Sequence, residues 1–314
     1  MILGVDPKVD YAFKRVFGLE KNRDLLASLI EAVLAGSNYG PIADLQILNP
    51  FNDKNWPDDK LSILDIKARD RFGRLFDVEM QMLPRTDLRE RLLFYWAELF
   101  TQQMLEGAAY QAVRPAISIC FLDGVLFPNV PAWHSRFTLR DAQHGHRLTD
   151  AIEIHLLELP KFQKLNEELA ENLDQWLYFL RHGEQFDSVR PPSHLTLPEI
   201  TKALEELAIM NQDTLERERY LARQKAKRDE LSLEYSRRVE LAEAIKNGLA
   251  QGLQQGLQQG LEQGLRRGEL IGVIQTCQEL LSTSVDSQDA LTALPDEELA
   301  RRADELKRQL RTRS

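Results

Sequence analysis

Two runs of alternating apolar and polar residues, together spanning Leu61 to Met82, flank Gly73 and predict an antiparallel hairpin. If Asp70 faces Arg74 across a three-residue turn, Asp65 lies opposite Glu79, Lys67 opposite Asp77 and Ile63 opposite Gln81. The period of two then collects Asp65, Lys67, Asp77, Glu79 and Gln81 on one face, with Ile63 their only apolar companion. The other face is Leu64, Ile66, Ala68, Phe76, Val78 and Met80, apolar throughout. Around the hairpin, apolar residues at three- and four-residue spacing predict helices over Asp6–Leu34, about Leu88–Glu106 and Phe162–Leu180. The apolar runs Ala116–Leu122 and Ile152–Leu159 predict buried strands, the second ended by Pro160.

Beyond residue 200 the pattern changes. Residues 201–247 carry nearly balanced charge and predict a solvated linker helix with i,i+4 pairs. Glycine then recurs at 248, 252, 256, 260, 264 and 268, with leucine after each of the first five. Six helical glycines cost roughly 5 kcal/mol relative to alanine, so such a helix calls for a compensating partner. The residues fit a helical self-association segment or a flexible Gly/Gln tether. The organisation expected is therefore a domain over 1–200, a charged linker over 201–247, and the repeat with a small helical tail over 248–314.

Composition narrows the class. The 314 residues are 43% hydrophobic and 28% charged, an ordinary globular balance. No run approaches the ~18 apolar residues of a membrane span. The opening MILGVDPKVD carries two acids and no apolar core, so a secretory signal is not expected. Cys120 and Cys277 are far apart and in no metal-ligand spacing, which points to a reducing cytoplasm. A net charge of −9 argues against nonspecific coating of nucleic acid, leaving room for local basic patches. His134, His144, His146 and His155 show no ligand spacing with a carboxylate, and no nucleophile motif or phosphate-binding glycine loop occurs.

The carboxylate face is the informative feature. Directly opposed like charges destabilise a strand pair, and a divalent cation would offset that repulsion. The same face also fits a solvated antiparallel pair in which Lys67 meets Asp77. Two basic clusters lie nearby: Lys67, Arg69, Arg71 and Arg74 around the turn, and Arg85, Arg89 and Arg91 beyond the second strand. On an acidic chain, these are where a phosphate backbone would find positive charge.

The ordered set Asp10–Phe13–Lys14–Phe17, Ile-Leu-Asp65-Ile, Val-Glu79-Met-Gln81, then Arg89/Arg91, Tyr95, Gln102/Gln103, Gly107 and Tyr110 resembles the Rpn family. These recombination-promoting nucleases, also known as a transposase family, belong to the PD-(D/E)xK nuclease superfamily. The resemblance spans roughly residues 5–135, and the glycine-every-fourth stretch is similar to tails in that family. It implies a restriction-endonuclease-like α/β fold, a mixed sheet flanked by helices with a helical C-terminal extension. It also implies a Mg²⁺- or Mn²⁺-dependent DNA endonuclease acting in recombination and mobile DNA. By position, Asp65 and Glu79 would bind the metal and Gln81 would position the attacking water. Asp10 would be an accessory acid, and Lys14, four residues on, its ion-pair partner. Gln81 stands where lysine is usual in the superfamily, and Lys67 is the accessory residue expected to supply the missing charge. Arg69, Arg71, Arg74, Arg85 and Arg89 would hold the DNA backbone. The alternative is a catalytically inactive nuclease fold serving as an oligomeric scaffold.

Overall fold

The computed structural model describes residues 3–37, 39–49, 65–104, 109–187 and 189–313. Its sheet is built on the hairpin: β2 (Asp65–Arg69) pairs antiparallel with β3 (Leu75–Gln81) in the expected register, Asp65 opposite Glu79 and Lys67 opposite Asp77. Ile63, Leu64 and the rest of 50–64 lie outside the described residues. The turn closes through Gly73 N–H to the Asp70 carbonyl (2.9 Å) and Asp70 N–H to the Arg74 carbonyl (3.2 Å). Gly73 has φ +80°, which favours glycine, and a Cβ there would also crowd Arg114 Cγ at 3.1 Å.

Beside β3 the sheet turns parallel. β4 (Ala116–Leu122) and β6 (Ile152–Glu158) extend it, β5 (His134–Thr138) closes one edge and the short β1 (Gln46–Ile47) the other. The spatial order is β1-β2-β3-β4-β6-β5, with antiparallel pairs at both edges. Between β3 and β4 runs α3 (Leu88–Thr101), the crossover that parallel neighbours require. This is the expected mixed α/β sheet flanked by helices, consistent with a restriction-endonuclease-like fold.

Both faces are covered. Ile66, Ala68, Phe76, Val78, Met80, Ile117, Ile119 and Phe121 point into the main core. That core is completed by α1 (Asp10–Phe17), α2 (Arg23–Val33), α4 (Asn172–His182) and α5 (Pro198–Gln212). On the opposite face, Leu88 and Leu92 of α3 pack on Cys120, Leu122 and Leu156, while Leu99 packs on Leu75 and Ala116. The polar face of β3 is therefore roofed by α3, not left wet.

Three helix expectations change. The predicted Asp6–Leu34 helix is two helices, because the chain breaks at Gly18 and the Asn22 amide donates to the Val16 carbonyl at the end of α1 (3.0 Å). The predicted Phe162–Leu180 helix starts only at Asn172, after irregular turns. Residues beyond 200 are not a solvated linker from the outset. Ile200, Ala203, Leu204, Leu207 and Met210 repeat at three- and four-residue intervals and are buried, so α5 belongs to the core. The first compact unit thus runs to Leu231, not to 200.

That unit includes the start of α6 (Thr214–Leu280). Arg15 of α1 ties it down, donating to Glu216 (2.9 Å) and to Glu206 of α5 (2.6 Å), while Lys21 also reaches Glu206 (2.6 Å). Buried Tyr220 accepts from Asp6 N–H (2.9 Å).

The second unit, Ser232–Ser314, holds the rest of α6 with α7 (Gln288–Thr292) and α8 (Asp296–Arg313). Ile271, Ile274, Leu291, Leu299 and Ala303 form its core. The glycine repeat is helical. A Cβ at any of these glycines would meet nothing within 4 Å, and Leu249, Leu253, Leu257, Leu261 and Leu265 are exposed. Among the described residues no helix is long and apolar enough to cross a membrane.

The four histidines fall in two places. His144 and His146 stack in an exposed loop, His144 on Asp141. His134 meets His155 (2.8 Å), which bonds Glu153 (2.9 Å), itself held by Arg136 and Arg147. Burial, then the charges of His155 and Arg136, push His134 down to about 4. The unfolded chain protonates that ring near 6.5, the folded chain only near 4. Stability is accordingly full at neutral pH and falls as the pH drops from about 6.5 to about 4, by up to roughly 3 kcal/mol. Burial works against the Glu153 charge, but bonds from His155 and Arg136 hold it down to about 2, extending the loss at still lower pH. Urea midpoints at pH 7, 5.5 and 4 will show this decline, and His134→Gln will flatten its upper part.

Candidate active site

At the C-terminal end of β3, period two places Asp77, Glu79 and Gln81 beneath α3 with Leu75, all buried. Glu79 is only 3% exposed. The Gln81 amide Nε2 donates to Glu79 Oε1. From the roof, Arg91 Nη2 comes to 3.5 Å of Glu79 Oε1 and 3.1 Å of the Tyr95 hydroxyl. Although burial opposes the Arg91 charge, Tyr95 and Glu79 hold it protonated, its pKa raised. Beside Glu79 on β4 stands Cys120, its register partner. Burial first, then the negative charge of Glu79 and Asp77, pushes its thiol well up.

Gln81 opens into a cleft whose other walls are Asp10 of α1 and Arg223, Lys227 and Glu230 of α6, all within the first unit. Asp10 Oδ1 accepts from Tyr11 N–H (2.8 Å), and its Oδ2 pairs with Arg223 (3.1 Å).

Asp65 is placed by its backbone register opposite Glu79; its side chain lies outside the described residues. Lys67 points to Glu98 of α3 (3.8 Å) at the level of Asp77, four strand residues, about 13 Å, below Gln81.

The five arginines expected on the DNA backbone separate. Arg74 is not available: it is buried, doubly bonded to Asp70 and donating to the carbonyls of Gly40 and Pro41. The tight turn at Gly73 forces this, folding Arg74 back onto the carboxylate four residues earlier. Arg69 and Arg71 are exposed, yet they sit at the turn end of the hairpin, Arg69 roughly 13 Å from the level of Glu79 and roughly 20 Å from that of Gln81 along the strand. Arg85 and Arg89 are exposed near the carboxylate end, Arg85 beside Glu230 (3.7 Å) and Arg89 over the Phe127 ring.

Sequence reasoning missed Arg223 and Lys227, whose only signal was a charged helix, and left the Arg91–Glu79 contact unread.

The chemistry of the donors suits a hard cation. Asp10, Gln81 and Glu230 bring carboxylate and amide groups to the cleft wall, and the protonated Cys120 thiol offers no soft thiolate. Among the described residues no group of three or more His, Cys, Asp or Glu is placed to hold a metal.

A family model described as PD-(D/E)XK nuclease family transposase matches residues 7–235. No curated protein and no solved structure gives a significant match.

Proposed function

The chain belongs to the PD-(D/E)XK nuclease family of transposases, and on that premise we propose that it is a Mg²⁺- or Mn²⁺-dependent DNA endonuclease. The observation that carries this reading is the register of Asp65 with Glu79, two residues from Gln81, at the strand end that opens into a cleft.

The reaction is hydrolysis: a water oxygen bonds to phosphorus and gives up a proton to solvent, one ester P–O bond breaks, and the leaving oxygen takes a proton from solvent. Asp65 and Glu79, with Asp10 as an accessory, would hold the cation that family members generally use. Bound there, the cation supplies an acidified water and stabilises charge on the scissile phosphate. The acceptor end of Gln81 orients the attacking water, and Arg91 holds Glu79 in position. Arg85 and Arg89, on the rim at that end, bind backbone phosphates; Arg69 and Arg71 bind duplex farther along. With no base-reading element among the described residues, sequence preference is weak. The biological setting is recombination or mobile DNA in the cytoplasm.

The same protein self-associates through α6. Five leucines exposed to 62–75% along a stretch with unfilled space over every glycine support a second copy of this helix as the partner. Replacing Leu253, Leu257 and Leu261 by serine will lower the mass seen by light scattering.

Supercoiled plasmid incubated with the purified chain is nicked or linearised when Mg²⁺ or Mn²⁺ is added and stays intact in EDTA. Plasmid left intact in every divalent metal overturns the reading.

A further inference from the structure

A neutral amide at position 81 leaves an electrostatic gap. Phosphodiester hydrolysis gathers negative charge on the non-bridging oxygens, and a fixed cation at that point is what a lysine on the strand would provide. Gln81 can orient water but carries no charge. Lys67 is turned toward Glu98, and Arg91 toward Glu79.

The cleft has another cation. Tyr220, Arg223, Lys227 and Glu230 follow at intervals of three and four, so one face of α6 meets the end of β3. Tyr220 anchors that face by accepting from Asp6 N–H, and Arg223 is spent on Asp10. Lys227 is differently placed. Its ammonium lies 3.0 Å from Glu230 Oε2, and its side chain is 23% exposed, against 46% for Glu230. An exposed i,i+3 pair of this kind contributes little and exchanges readily. Arg85 stands 3.7 Å from the other Glu230 oxygen, so that carboxylate is already shared between two cations.

We propose, resting on the nuclease reading above, that Lys227 is a catalytic residue: it leaves Glu230 for the scissile phosphate and supplies, from a helix about 150 residues downstream, the positive charge that Gln81 lacks. The active site then includes the start of α6, and Glu230 is the resting partner that holds the ammonium over the cleft until a phosphate replaces it.

The test compares wild type with Lys227→Gln, Lys227→Arg and Lys225→Gln, the last removing an exposed charge from the same helix outside the cleft. Two quantities are read. One is the salt dependence of binding to a fluorescein-labelled duplex in EDTA; the other is single-turnover cleavage in Mg²⁺. Lys227→Gln reduces the slope of log K against log salt by about 0.9, one phosphate contact, and slows cleavage about 100-fold. Lys227→Arg keeps the slope, Lys225→Gln keeps slope and rate, and circular-dichroism melting of all four is alike. A Lys227→Gln protein with wild-type slope and rate overturns the assignment and leaves the nuclease reading intact. If wild type cleaves in no metal, it is the nuclease reading that fails, and the salt slope still decides whether Lys227 meets a phosphate.

Discussion

Glu79→Gln abolishes cleavage, by about 1,000-fold or more, in a protein that still folds. The substitution keeps the volume of a side chain buried beneath α3 and removes only its charge. Truncation to alanine would also open a cavity, so the isostere isolates the electrostatic role. Asp65→Asn, at the register partner, behaves the same way. A second readout needs no turnover. A cation bound to the folded state at tenfold its Kd adds about 1.4 kcal/mol of stability, so Mg²⁺ or Mn²⁺ raises the wild-type melting temperature. Neither variant shows that rise. Cleavage at the wild-type rate in both variants would remove Asp65 and Glu79 from the active site.

Arg15→Ala produces the largest loss of stability, about 3 kcal/mol. Its guanidinium is buried between Glu206 and Glu216, whose carboxylates more than offset the desolvation that opposes its charge. Removing it strands those carboxylates; Lys21, an exposed residue, retains only Glu206. The double replacement Arg15→Met/Glu206→Leu costs less than Arg15→Ala alone, because one of the orphaned charges goes with it. Urea denaturation with a constant m value measures both. A double variant no more stable than Arg15→Ala would show that lost packing, not uncompensated charge, sets the cost. Arg15 also joins α1, which carries Asp10, to the segment of α6 that carries Arg223 and Lys227, so the single variant loosens the cleft as well as the fold.

The hairpin was legible because two local rules agree there: Gly73 marks the turn, and alternation on both sides fixes which residues oppose each other. Register then follows, and with it the pairing of Asp65 and Glu79 positions. β4 and β6 were legible as unbroken apolar runs, the mark of strands covered on both faces. What could not be read was mostly tertiary. The apolar spacing of α1 continues into α2, so nothing periodic reveals the break that Asn22 secures. Arg74 looks like any surface arginine until the turn brings it against Asp70. Residues 201–231 are charged enough to read as solvated, while the regular spacing of Ile200, Ala203, Leu204, Leu207 and Met210 was the overlooked sign that α5 is buried. Lys227 joins the cleft by packing across the whole first unit, which no local pattern encodes.

The alternation of β3 carries a rule about tolerated change in length. One residue gained or lost between Gly73 and Glu79 would swap the parity of everything after it, driving Glu79 and Gln81 into the oily interior and turning Val78 and Met80 to the face beneath α3. Two residues would restore the parity and merely slide the strand. Among natural variants of this chain, insertions in that short stretch should therefore come in even numbers or be absent, and the same holds across β2, where Ile66 and Ala68 face the core.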